Sequence, residues 1–278
     1  MPSDNDDNIA TQTARLAHRS GQDLSELLKE GDADLLRAVL RDPRLEERHV
    51  MDVLRRRDLP ADILKLIARL PLVARNIGLK IAVAAHPRTS PQLFTGLLPQ
   101  FHLFELVALI QHPGVLGDHK AAAERAVLKL IPDTPLGNKV TMARRGSLHI
   151  LEALLAEPEI QVVEAVLSNP VLRESALLSY VRGAAATPES ISAIARHRRW
   201  GHLPSVRRAM LQNAKTPAIW FTLFLPEVAT SEVERLLRLK SLGERQREEV
   251  EYELRKRRAE AMLKRRAPSR PSEPETIS

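Results

Sequence analysis

The sequence predicts an all-α fold, an α-solenoid of short helices built by tandem duplication, and three observations predict it. The first is proline spacing. Of 19 prolines in 278 residues, 15 lie between Pro43 and Pro226, most of them 8 to 23 residues apart. Proline is accepted in the first turn of a helix and rejected from its interior, so this spacing punctuates short helices. The second is the composition between prolines. Those segments are rich in Leu, Ala, Arg and Glu, and no run alternates β-branched with polar residues as a strand would. The third is internal register. Sliding the chain against itself by 127 residues lays 31–47 over 158–174 without a gap, pairing Ala38 with Ala165, Leu40 with Leu167 and Pro43 with Pro170. Ile67-Ala68-Arg69 then meets Ile194-Ala195-Arg196, and Leu98-Pro99 meets Leu225-Pro226.

Taken in order, residues 1–13 read as an acidic, disordered N-terminus; the first 34 residues carry 8 acidic and 3 basic side chains. Residues 14–134 form the first copy and 135–243 the second, so that 16–130 and 143–257 are expected to superpose. About sixteen helices are expected. Within each copy a theme recurs: an amphipathic helix closing on a polar residue and proline. It reads AVLRDP (38–43), AVAAHP (82–87), ALIQHP (108–113), AVLSNP (165–170) and, decayed, AMLQNA (209–214). A residue before proline is biased away from the helical region, so Asp42, His86, His112 and Asn169 read as helix terminators. Ala123, Ala126, Val127, Leu130 and Ile131 follow the spacing of one buried helical face, as do Leu172, Ala176, Leu177, Tyr180 and Val181. Units this small cannot bury an apolar face alone and must stack on neighbours. Residues 244–266 read as a basic capping helix that continues the second copy. Its expected pairs are Glu251–Arg255, Glu253–Arg257 and Glu260–Lys264, and its apolar stripe Val250, Leu254, Ala261 and Met262. The Pro/Ser-rich tail, 267–278, is expected to be disordered.

LKIAVAAHPRTSPQLFTGLL (79–98) and VRRAMLQNAKTPAIWFTLFL (206–225) resemble leucine-rich-repeat-variant units, whose pattern is V-R-x-A-V-A-x-N-P-x-T-P followed by a Leu-rich helix. AVLSNPVLRESALLSYV (165–181) is similar, and the wider resemblance is to HEAT and armadillo-like bacterial repeat proteins. The resemblance implies an armadillo-type, right-handed superhelix. It carries packing residues rather than chemistry. Ala214 stands where the pattern has proline, and Ser90 separates Thr89 from Pro91.

The chain offers little for catalysis. It has no cysteine, hence no disulfide framework, thiolate nucleophile or Cys-ligated metal. No apolar run approaches the length of a membrane span, and the acidic N-terminus does not read as a secretory signal, so a cytoplasmic location without integral membrane association is expected. None of the nine histidines sits in HExxH, the eleven glycines form no phosphate-cradling loop, and no GxSxG elbow occurs. We therefore name no catalytic, cofactor-binding or metal-ligating residue and expect no cofactor. Some HEAT-like solenoids are DNA glycosylases that pair an aromatic with a carboxylate. Here Trp200 and Trp220 are the two tryptophans and no Asp follows Asp133, so a carboxylate beside Trp200 would have to be a glutamate, such as Glu189 or Glu227, or come from the other copy. That is the weakest of three readings.

Two basic clusters are the candidate partner-binding residues. One is Arg196, Arg198, Arg199 and Trp200, continued by Arg207 and Arg208; the other is Arg255, Lys256, Arg257 and Arg258. In the first copy the stretch matching Arg198-Arg199-Trp200 is Pro71-Leu72-Val73, so packing common to both copies cannot require the charge. The arginines are expected to project into solvent and Trp200 to be covered. From Arg235 onward 13 basic residues face 8 acidic ones. The leading reading is a non-enzymatic scaffold for a protein or peptide, acidic by complementarity. The second is a nucleic-acid binder that uses the same basic residues.

Overall fold

The computed structural model describes Leu28 and residues 32–266, with side chains as far as Leu263. The segments expected to be disordered, 1–13 and 267–278, lie outside the described residues, as does most of the first copy before residue 32. Among the described residues there are seventeen α-helices, two 3₁₀ turns and no strand. No described helix is long and apolar enough to cross a membrane.

Contacts divide the chain into two compact units: residues to Pro135 with Arg145–Ile150, and Leu136–Arg144 with the chain from Leu151. In the first unit α1 (Ala33–Val39), α2 (Glu47–Leu54), α3 (Ala61–Ala68), α4 (Pro71–Arg75) and α5 (Ile77–Ala85) come first. Then follow α6 (Pro91–Leu97), a 3₁₀ turn (Leu98–Gln100), α7 (Leu103–Gln111) and α8 (Gly117–Leu130). With the short α4 set aside, alternate helices lie side by side: α1 on α3, α2 on α5, α5 on α7, α6 on α8. After α9 (Leu136–Arg145) and α10 (Leu148–Leu155), the second unit runs through α11 (Ile160–Leu167), α12 (Glu174–Arg182), α13 (Pro188–Arg196) and α14 (Pro204–Leu211). It ends with α15 (Ala218–Phe224), a 3₁₀ turn (Leu225–Glu227), α16 (Thr230–Leu237) and α17 (Glu244–Arg266). Here α11 packs on α13, α12 on α14 and α15 on α17.

Element starts recur 127 residues apart: Ala33 and Ile160, Glu47 and Glu174, Ala61 and Pro188, Pro91 and Ala218, Leu98 and Leu225, Leu103 and Thr230, Gly117 and Glu244. Among the helices between residues 33 and 130, α4 lacks a helical counterpart 127 residues on; residues 198–202 form a turn.

Local chemistry explains the boundaries. Asp32 and Ser90 accept hydrogen bonds from Leu35 N and Leu93 N, and proline occupies the first turn of α4, α6, α13 and α14. At the C-termini the recurrent polar residue accepts from the amide two positions on. Asp42 accepts from Arg44 (2.8 Å), His86 from Arg88 (3.1 Å), His112 from Gly114 (3.1 Å), Asn169 from Val171 (2.8 Å) and Asn213 from Lys215 (2.8 Å). The opposite side of the same group stitches one turn to another. His86 Nε2 donates to Arg56 O (2.6 Å) and Asn169 Nδ2 to Ala143 O (2.8 Å). Neutral imidazole, like a carboxamide, offers one acceptor and one donor, which is why His and Asn interchange here. Thr89 and Thr216 hydroxyls close the preceding helices on Val83 O (2.5 Å) and Met210 O (2.6 Å).

The apolar stripes behave largely as expected. Leu172, Ala176, Leu177, Tyr180 and Val181 are all buried, as are the matched pairs Leu40/Leu167 and Ile67/Ile194. Leu130 departs from expectation. The buried line of α8 runs through Ala123 and Val127 to Ile131, leaving Leu130 42% exposed at the helix end.

Candidate functional site

α13 ends at Arg196, and the chain turns through His197–Leu203 before Pro204 starts α14. His197 O accepts from both Trp200 N (3.1 Å) and Gly201 N (2.8 Å), folding the turn back on the helix end. Gly201 is required by this closure: a Cβ there would lie 2.0 Å from Ala195 O. Trp200 is only 2% exposed, and its indole Nε1 donates to Leu167 O at 2.8 Å. It plugs the junction between the ends of α11 and α13, which leaves the ring no open face to stack a base.

The arginines around it divide by role. Arg199 lies over the indole, 4.1 Å from the ring centroid, and donates to Asn169 O (3.1 Å) and Leu172 O (3.0 Å). Arg199 is exposed, as expected, and its donors also cap the turn after α11. Arg196 and Arg198 are exposed, and neither forms an ion pair among the described residues. Burial, then the neighbouring Arg199, holds the His197 imidazole below its usual range.

Arg207 donates through Nε to Gly201 O (2.7 Å), pairs with Glu227 and sets its guanidinium 4.9 Å over the Phe224 ring. Arg208 pairs with Glu232. Arg257 reaches the same region from α17: it pairs with Glu253 (2.7 Å) and donates to Val228 O (2.8 Å), Thr230 Oγ1 (3.0 Å) and Leu225 O (2.6 Å). Arg207 and Arg257 thus converge on the Leu225–Val228 turn, bringing together two cation clusters about fifty residues apart in sequence. Both are spent on holding that turn. Arg255, Lys256 and Arg258 are exposed and form no ion pair among the described residues, so the Glu251–Arg255 pair is not made; Glu260–Lys264 lies beyond the described side chains. The expected stripe on α17 also stops short: Val250 and Leu254 are buried, whereas Ala261 and Met262 are exposed.

The acceptor carbonyls of Leu167, Asn169 and Leu172 carried no sequence signal, and the need for Gly201 shows only in the turn it closes. Trp220 is half-buried, its Nε1 donating to Ser192 Oγ (3.0 Å). Among the described residues no group of three His, Asp or Glu side chains is placed to hold a metal ion. A groove of ≈ 440 Å³ between α9 and α11 is lined by Arg144, Glu164 and Asn169, the last already bonded on both sides of its carboxamide. No protein-family model, no curated protein and no solved structure matches the chain.

Proposed function

We propose that the chain is a non-enzymatic interaction scaffold that binds an acidic protein or peptide along the basic edge of its second unit. The observation that carries this reading is the convergence of both cation clusters on the Leu225–Val228 turn. Arg207 and Arg257 are engaged there, Arg199 on the turn after α11 and Arg208 by Glu232, while Arg196, Arg198, Arg255, Lys256 and Arg258 are left exposed without acidic partners among the described residues. Exposed, uncompensated cations steer a carboxylate-rich ligand toward that side of the unit. In this reading the two units are copies of one ancestral array, a right-handed armadillo- or HEAT-like solenoid working in the cytoplasm. The shared element starts and alternate-helix stacking support the duplication. Stacked helices then present side chains at regular spacing on a stiff frame.

The test is titration of the full chain with polyglutamate, and with duplex and single-stranded DNA, across a salt series. Polyglutamate binding that weakens with salt and drops several-fold in an Arg198→Glu/Arg258→Glu variant is the expected result. Tighter, steeply salt-dependent binding of either DNA would replace the acidic partner with a nucleic acid. No binding of any probe at low salt would remove the edge as a site.

A further inference from the structure

We infer that the outward face of α15 seats an amphipathic peptide whose apolar side rests on Ile219 and Leu223 and whose carboxylates meet Arg196 and Lys256. The inference rests on the acidic-partner reading and says where the partner lies. Ile219 and Leu223 are 59% and 53% exposed and stand one helical turn apart, opposite the buried Phe221 and Phe224. The flanks are fixed by hydrogen bonds. On one side the Trp220 indole reaches across to Ser192 of α13, and Arg196 lies one turn further along that helix. On the other side Thr222 Oγ1 donates to Glu249 Oε2 of α17 (2.9 Å), with Tyr252 about one turn on, 60% exposed, and Lys256 two turns on. Both cations stand toward the edge that holds the Leu225–Val228 turn, and neither has an acidic partner among the described residues.

Three arguments make this face a seat rather than ordinary surface. The fold does not ask for it: the first copy carries Gln92 and Gly96 where α15 has Ile219 and Leu223, and Arg125 where α17 has Tyr252. Large apolar side chains left in water as a contiguous group, rimmed by charge, mark interaction surfaces. The rim also selects the ligand. An apolar centre bounded at one end by two cations fits a helix with apolar residues at i and i+4 and acidic residues at one end. A second copy of this chain is disfavoured as the occupant, because the exposed cations it offers on α17, Arg255, Lys256 and Arg258, repel those at the rim.

The experiment is selection of a displayed library of random 16-residue peptides on the full chain, with winners measured against three proteins by Trp220 fluorescence and by calorimetry. Expected winners are acidic, with apolar residues three or four apart, and lose at least about tenfold affinity for Ile219→Gln/Leu223→Gln, as removal of two apolar anchors requires. Winners that bind the double variant as tightly as the parent overturn the inference; if they instead lose affinity for Arg198→Glu/Arg258→Glu, the basic edge stands and only its apolar seat falls. Winners unaffected by either variant, or no enrichment at all, remove both readings. A parent chain that sediments as a dimer, with the Ile219→Gln/Leu223→Gln variant monomeric, makes the face a self-association surface and overturns the peptide seat.

Discussion

Residues 70–76 and 197–203 are matched by the 127-residue register and are built differently. In the first, Pro71–Arg75 forms a single turn of helix with Val73 buried, and Asn76 caps α5. In the second, the backbone makes a tight turn and Trp200 stands where Val73 does. Burial is common to both, at 1% and 2% exposure, so each side chain plugs its own junction. Its size does not. The larger ring brings its own supports: Gly201 to let the turn close, a carbonyl for the indole N–H, and Arg199 stacked above it. Charge particular to one copy therefore has two origins, one serving the local packing and one left over for something else. Arg199 is of the first kind and Arg198 of the second.

The plug is where the comparison breaks most sharply. Trp200→Ala should cost about 3–5 kcal/mol in urea unfolding, the usual range for emptying a buried aromatic site. Val73→Ala should cost about 2 kcal/mol or less, in proportion to the smaller volume removed. Equal losses would mean that Trp200 is not the keystone of its junction. Gly201→Ala comes next, at about 1–3 kcal/mol, because the new Cβ meets main-chain atoms at the end of α13 that cannot rotate away. No residue here has a positive φ, so the requirement is steric, and Ala74 in the first copy is tolerated because its backbone is helical. Gly201→Ala at parental stability would mean that the turn opens freely.

A second matched pair differs in titration. His119 and Gln246 hold the same position, and both are buried. Gln246 is satisfied: Nε2 donates to Ala214 O (2.8 Å) and Thr216 O (2.6 Å), and Oε1 accepts from Gly243 N (2.9 Å). His119 instead stacks flat on Phe94, 4.1 Å between centroids, with Nδ1 buried and unpartnered. Burial lowers its pKa below the ordinary 6.5. The unfolded chain then takes up a proton at a pH where the folded chain does not, so this group removes stability as pH falls through 6.5. The loss ends below the folded pKa. His119→Gln should abolish that contribution, read as the difference in stability between about pH 7.5 and pH 5.5 in parent and variant. An unchanged pH dependence would show that the acid sensitivity resides elsewhere.

Much of this was legible in the sequence because it depends on short-range rules. Proline placement and helix-forming composition set the element starts, and those starts recur at the 127-residue register read from the sequence, even to the 3₁₀ turns at Leu98 and Leu225. Buried positions such as Ile67 and Ile194 were legible for the same reason. The site was only half legible. Positive charge absent from the first copy pointed to residues 196–208, but which arginine is engaged depends on carbonyls about thirty residues away, at Asn169 and Leu172 for Arg199 and at Leu225 and Val228 for Arg257. Helix-terminal carbonyls have no residue code, so their partners emerge only when the turns are side by side. The apolar face of α15 carries no sequence signal, because Ile219 and Leu223 read as ordinary members of a Leu-rich helix.

The smallest expected effect separates the two arginines themselves. Arg199→Ala removes two hydrogen bonds to main-chain carbonyls and the stacking over Trp200, but the side chain is largely solvated, so its loss should cost only about 1 kcal/mol. Arg198→Ala removes nothing the fold uses and should change stability by less than about 0.5 kcal/mol, the range of ordinary surface substitutions. Binding should rank them the other way. Arg198 offers an exposed guanidinium with no ion-pair partner among the described residues, so its removal should weaken polyglutamate capture several-fold and flatten the salt dependence. Arg199, already donating to Asn169 and Leu172, should matter less. The pair is measured by urea unfolding and by the polyglutamate titration on the same two variants. If Arg199→Ala is silent in stability and dominant in binding, the arginine over Trp200 is a ligand group rather than a support, and the division between packing charge and leftover charge is drawn in the wrong place.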